Sequence, residues 1–294
     1  MTTNVVMRTL FFYLLFFLSG NLLVTASASA SSLNQARDLN AVDNKGFTPI
    51  MLAARNGQVE KVKALLARNA DFSATDENGL DALMWAAIKG HANVINELLT
   101  QQIDINRRDK RGITALLLAA SAGHDAAVEV LVKQGANIHV AMKNGMDSLM
   151  FMAQRGRLRS VELLLDKGAE LNKKNSGGSN ALMLAAGKGY TSVVEALLKR
   201  GADVNLANIN GWPALMYAVA NRSGVTVKIL LKAGANVNAV NVQGSSALNL
   251  ASARGDIKIM QILLDEKADI NLQDKIGFTA LMASAWNNKD EAVE

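Results

Sequence analysis

Glycine recurs every 33 residues in this chain, at Gly46, Gly79, Gly112, Gly145, Gly178, Gly211, Gly244 and Gly277, without a slip. The flanking text repeats with it. "DNKGFTPIMLAAR" (43–55) and "DKIGFTALMASAW" (274–286) share Asp, Gly, Phe, Thr, Met and Ala at matching places. A second glycine follows the first by eleven residues, at Gly57, Gly90, Gly123, Gly156, Gly189 and Gly255, with Arg222 and Asn288 breaking the series. A period of this length excludes one closed core for the whole chain. Each unit must be a supersecondary element that cannot bury its own apolar face, so neighbours stack to build the core.

Residues 175–207, "NSGGSNALMLAAGKGYTSVVEALLKRGADVNLA", show the logic of one unit. The glycine marks a turn. Asn180 stands where an N-cap would, as Thr48, Thr114 and Thr279 do in other units, and a short Ala/Leu/Met run follows. Gly189 ends that first helix. A second helix carries Val193, Val194, Leu197 and Leu198 on one stripe. Gly201 stops it, and "ADVNLAN" leads extended into the next turn. Helices of about three turns are marginal alone, so the pairs must lean on one another. The first helix is apolar around most of its surface, as in "ALLLAA" (115–120), which suits a place between two neighbours, and pairs such as Ala53–Ala54 and Ala185–Ala186 allow close approach.

The first 30 residues are different material. Arg8 is the only charge before Arg37, "LFFYLLFFLSGNLLV" (10–24) is almost wholly apolar, and "TASASA" (25–30) is small. These are the three parts of a secretory signal peptide, with cleavage expected after Ala28 or Ala30; a start at Met7 would tighten its basic region. The apolar run is too short and too interrupted for a retained span of about 20 residues. Cleavage removes one charge from the formal +5 and leaves +4. The basic residues are dispersed, so the charge does not point to nucleic acid. The chain has no cysteine, hence neither a lipid-anchor thiol nor a disulfide, and an exported chain of 294 residues without either fits a bacterial periplasm.

The chain resembles the ankyrin repeat family, whose unit is 33 residues with a T-P-L-H-x-A core phrase. The matching text is "GFTPIMLAARNG" (46–57), "GLDALMWAAIKGH" (79–91), "GITALLLAASAGH" (112–124) and the junction "KRGADVNLAN" (199–208). The resemblance covers 43–294, in units beginning at 43, 76, 109, 142, 175, 208, 241 and 274, the last incomplete, with 31–42 as an N-terminal cap. It implies an all-α ankyrin-repeat solenoid of about eight helix-turn-helix units joined by hairpin-like turns. The polar "KDEAVE" at the end is a short outer face, so fraying or truncation is expected there. The family's histidine of the core phrase is replaced by Met51, Met84, Leu117, Met150, Met183, Met216, Asn249 and Met282. That histidine ties neighbouring units by hydrogen bonds; methionine can only pack. The family's proline survives at Pro49 alone, with Pro213 shifted by one.

No catalytic constellation stands out. The three histidines, His91, His124 and His139, lack ligand spacing, and His91 and His124 hold equivalent helix-start places. "GKG" (187–189) is an inter-helix turn rather than a phosphate loop. Asp43, Asp76, Asp109 and Asp274 recur at the turn, where capping explains them. Met142, Met146, Met150 and Met152 form the one group that could suit Cu(I) in a periplasm, although core packing explains Met150 and Met152. Asn221-Arg222-Ser223 is a glycosylation sequon.

Without an active site, function falls to the surface. The resemblance implies that a partner protein lies along the concave side, on the hairpin tips, the residue after the recurring glycine and the end of the first helix. The residues expected to carry it are Phe47, Arg55, Leu80, Lys89, Arg111, Ile113, Met146, Arg155, Lys188, Trp212, Arg254 and Phe278. With Lys45, Lys110 and Lys143 at the tips, this face reads as basic with apolar and aromatic inserts; the other reading is that the cations solubilise the array and that Phe47 or Trp212 partly cover the hairpin. The expectation is a monomeric, non-enzymatic protein-binding scaffold, without cofactor, metal or nucleic acid and off the membrane once the signal peptide is removed. The rival readings are a secreted host-directed effector of the same fold and a methionine-based periplasmic copper protein.

Overall fold

In a computed structural model, residues 38–287 are described. The expected signal peptide and the terminal "KDEAVE" lie outside them. The cap segment enters at its end, as a 3-10 turn (Asp38–Asn40) whose Leu39 is buried against the first helix.

Fifteen α-helices follow among the described residues, none longer than nine residues. The first helix of each unit is Pro49–Arg55, Ala82–Lys89, Ala115–Ala122, Ser148–Gln154, Ala181–Ala186, Ala214–Ala220, Ala247–Arg254 and Ala280–Trp286. The second is Val59–Ala67, Ala92–Leu98, Asp125–Lys133, Leu158–Asp166, Thr191–Lys199, Gly224–Lys232 and Ile257–Asp265. The first helices form an inner row and the second helices an outer row. Neighbours in the inner row pack more closely than neighbours in the outer row, so the array curves toward its inner side. The expected solenoid is therefore the observed fold.

Helix starts are set by side chains. Thr48, Asp81, Thr114, Asp147, Asn180, Ser246 and Thr279 each accept the backbone N–H three residues on, at 2.8–3.4 Å. Pro213 occupies this place in the sixth unit and caps nothing with its side chain. The hairpin turns are set the same way. Asp43, Asp76, Asp109 and Asp274, joined by Asn175, Asn208 and Asn241, each accept two N–H groups of their own turn through Oδ1. Turn capping is thus what the recurring aspartates do.

Glycine ends the inner helices because the chain turns left-handed there, as at Gly90 (φ 75°). It is also needed for space. A Cβ on Gly90 would stand 2.6 Å from the His124 ring of the next unit, and one on Gly156 would stand 2.6 Å from Tyr190. Where the series breaks, Arg222 still adopts φ 57°. At the end of the outer helices Lys267 does so at φ 62°, where other units use Gly135, Gly168, Gly201 and Gly234. A side chain there is strained.

The core runs the length of the array. Met51, Met84, Leu117, Met150, Met183 and Met216 are buried between units, filling by packing the place of the family's histidine. Asn249 keeps a polar link: its Nδ2 donates to Phe278 O of the following unit at 3.3 Å. Elsewhere the lateral hydrogen bonds run through three other rows. At the hairpin tips, Lys110, Ser176, Ile209, Val242 and Lys275 N–H donate to the preceding tip at 2.8–3.2 Å. Beyond the outer helices, Asn40, Asn106, Asn172, Asn205 and Asn238 each accept a backbone N–H of the next unit at 2.7–3.1 Å. At the inner-helix ends, a side chain of the next unit reaches a carbonyl. His91 meets Arg55 O at 3.1 Å, His124 meets Ile88 O at 2.9 Å, Arg155 donates to Ser121 O and Arg254 donates to Ala220 O. Asn221 Nδ2 donates to Gly187 O at 3.3 Å in the amide orientation that satisfies both its groups.

Two of the caps carry a cost. Asp81 and Asp147 are buried carboxylates, and burial raises both pKa values above the ordinary range. Asp81 Oδ2 has no hydrogen-bond partner. Folded Asp81 holds its proton to higher pH than the unfolded chain does. Its contribution to stability therefore falls as pH rises from its unfolded pKa, near 3.9, through its raised folded value, and stays low above it. Asp81→Thr keeps a capping oxygen and removes the charge. The variant should be more stable than the parent at pH 7 by about 1 kcal/mol, and the gain should shrink as pH falls through that window, read from urea midpoints by far-UV circular dichroism. Lys267→Gly relieves left-handed strain and should add about 0.5–1 kcal/mol in the same measurement; a loss would mean that the Lys267 side chain supports the fold.

Candidate functional site

The inner side of the array is built from two parts, the hairpins and the inner helices. Ring contacts fix how they meet. Phe47 of the first hairpin lies 5.1 Å from Trp85 on the next inner helix, Trp212 lies 5.7 Å from Tyr217, and Phe278 lies 5.8 Å from Trp286. The Arg55 guanidinium sits over both Phe47 and Trp85, at 5.4 and 5.2 Å. Hairpin and helix end therefore form one continuous trough wall.

One row of inner-helix residues lines that trough: Leu52, Trp85, Leu118, Phe151, Leu184, Tyr217 and Leu250. All are half-buried except the nearly buried Leu118. Aromatic rings alternate with leucines along it. Their polar atoms are anchored, which holds the rings still. Trp85 Nε1 donates to Asp76 Oδ2 at 3.1 Å, and Tyr217 Oη meets Asn208 Nδ2 at 2.8 Å and Ser179 Oγ at 3.0 Å. This row was missed in the sequence reading, which looked beside the recurring glycine. Its signal was present: the place six residues after that glycine holds Trp85, Phe151 and Tyr217, one aromatic in every second unit.

The residues expected after the glycine are corrected. Phe47, Leu80, Ile113 and Met146 are buried, at 7%, 4%, 7% and 7% exposure, so they close the hairpin onto the core. Their side chains point under the turn because the Asx cap fixes its backbone. Trp212 and Phe278 are half-buried. The cations also divide. Lys89 and Lys188 are exposed and make no ion pair among the described residues. Arg111 is exposed but paired to Asp109 Oδ2 at 2.8 Å. Arg155 and Arg254 are exposed, with guanidinium groups engaged on carbonyls of the preceding unit, and Arg55 is half-buried over its rings.

The methionine group does not open to solvent. Met150 and Met152 are fully buried, and Met146 Sδ receives Asn175 Nδ2 at 3.3 Å, which leaves Met142 as its one half-exposed member. His91 and His124 spend a ring nitrogen on lateral bonds, and Asn221 of the sequon spends its amide likewise. No helix among the described residues is long and apolar enough to cross a membrane.

A family model described as ankyrin repeats (3 copies) matches residues 22–109, 107–175, 149–241 and 227–294. The chain belongs to the ankyrin repeat family. Ankyrin repeat proteins are in general non-enzymatic scaffolds, and the repeats of this chain indicate a protein-interaction scaffold. No curated protein matches the chain. Within the ankyrin array the corrected residues act as supports. Phe47→Ala should cost about 3 kcal/mol of stability in urea unfolding, whereas Trp212→Ala should cost clearly less; equal losses would contradict the difference in burial.

Proposed function

We propose that this chain is an exported ankyrin scaffold that holds a partner protein in the trough of its inner side, most simply in a bacterial periplasm. The observation that carries the reading is the continuous row from Leu52 to Leu250, rimmed by exposed Lys89 and Lys188 at the helix ends and by the hairpin tips. Half-buried aromatics with anchored polar atoms lose little freedom on binding, and such rings are the usual anchors of interfaces. The lateral bonds along tips and helix ends stiffen the surface, so it is largely preformed. Export rests on the N-terminal pattern of a basic, an apolar and a small-residue region.

The test uses a photo-crosslinking residue placed at Lys89, at Leu184 or at Lys228 on the outer helices, in cells of the source organism. Crosslinks to one protein at the first two places and none at Lys228 are expected. Crosslinks mainly at Lys228 would move the interface to the outer row. Fractionation and intact mass of the recovered protein should show a periplasmic chain beginning after Ala28 or Ala30; recovery from the medium would favour the effector reading, and an uncleaved chain would end the export reading.

A further inference from the structure

The trough is not uniform along its length, and the way it changes selects a kind of partner. Its first five units are lined with cations: Lys45, Lys110 and Lys143 are exposed at the tips, Lys89 and Lys188 at the helix ends. Their tip carboxylates are fewer than their cations and are tied into the turns. Asp43, Asp76 and Asp109 are folded into their turns, accepting backbone N–H groups, which leaves Glu77 as the single exposed carboxylate at those tips outside the turn caps. Farther along, exposed aliphatic side chains appear at the tips, beside Lys275 in the last one. Ile209 is 68% exposed, Val242 43% and Ile276 77%. Their N–H groups do not account for that exposure: Ile209 and Val242 donate theirs to the preceding tip through the backbone, a bond any residue could make. Isolated apolar side chains are ordinary on a surface, but Ile209 and Val242 hold the same place on successive tips and Ile276 stands one place on in the next, so three adjoining tips each expose an aliphatic side chain.

We infer that the trough takes an acidic protein segment with an apolar end, its carboxylates lying on units one to five and its apolar side chains against Ile209, Val242 and Ile276. This inference rests on the scaffold reading above. The charge argument is complementarity: a row of lysines that make no ion pair among the described residues favours a partner carrying the opposite sign and disfavours one carrying the same sign. The apolar argument separates this partner from a nucleic acid. A phosphate backbone would use the lysines but would gain nothing from aliphatic tips that present no flat face for base stacking.

A displayed library of random peptides panned on the purified full chain tests this directly. Enriched peptides should be rich in Asp and Glu, with aliphatic or aromatic residues gathered at one end. Lys89→Glu with Lys143→Glu and Lys188→Glu should weaken a selected peptide by at least roughly tenfold, and Lys→Gln at the same places should weaken it less. Ile209→Ser with Val242→Ser should weaken it as well, and should not affect a peptide from which the apolar end has been deleted. Lys228→Glu with Lys232→Glu, on the outer helices, should leave binding unchanged, and added salt should weaken it. Circular dichroism of each variant should match the parent; where the glutamate variant melts early, the glutamine variant decides. Enrichment of neutral or basic peptides, no enrichment over bare support, equal loss from the outer-helix variant, or displacement by single-stranded DNA of equal charge would each overturn the inference. Failure here with crosslinks still on the inner row would remove the acidic-apolar chemistry and leave the scaffold. Crosslinks on the outer row would remove the scaffold face itself.

Discussion

No helix among the described residues is long enough to be stable alone, and the rest of the fold follows from that constraint. A helix of nine residues or fewer falls below the length at which helices persist in water. Each inner helix is held by its neighbours in the row, with alanine at the contact and, in the first six units, a methionine or leucine filling the gap between. Stability is then a sum of neighbour terms rather than a property of a centre. The lateral bonds supply those terms with direction. Packing alone would let neighbours slide; tips, asparagines and helix-end caps each fix the step from one unit to the next.

The replacement of histidine by methionine shows how such a constraint can be met in more than one way. The core-phrase place lies in the tightest contact of the array, and a buried polar side chain there must find a partner. A thioether has no such requirement and adapts to the gap. The cost is a lost lateral bond. In this chain the loss is made good at the ends of the helices, where His91, His124, Arg155, Asn221 and Arg254 come from different residue types yet reach the equivalent carbonyl of the preceding unit. The equivalence belongs to the backbone acceptor, which every unit presents, and several side chains can reach it.

That also explains what could be read in the sequence and what could not. The period, the N-caps, the turn aspartates and the stop glycines were legible because each is a local bond between near neighbours in the chain, so one residue type at one offset signals it. Which way a side chain faces was less so. Phe47, Leu80, Ile113 and Met146 sit beside a turn glycine and read as tip residues, but the turn's cap rotates them inward. Arg155 and Arg254 read as free cations because their acceptors lie 34 residues away in the chain. Trp85, Phe151 and Tyr217 lie in helices that are apolar around most of their surface, so the sequence does not mark out the half-buried face they occupy.

The lateral bonds are not evenly spread, and this shapes the trough as much as its residues do. Between the third and fourth units, as between the first and second, no tip-to-tip backbone bond forms among the described residues, and His139, facing Glu170 at 3.9 Å, stands where neighbouring junctions use asparagine. Bonds on the outer side gather there instead. Ser160 Oγ donates to Asp125, and Arg159 pairs with Glu129 at 2.7 Å. On the inner side the helix-end bond from Arg155 to Ser121 O remains, so this step is tied on both faces by side chains rather than through the tip backbones. Rigidity in such an array is thus written junction by junction, in whichever row of side chains happens to reach across.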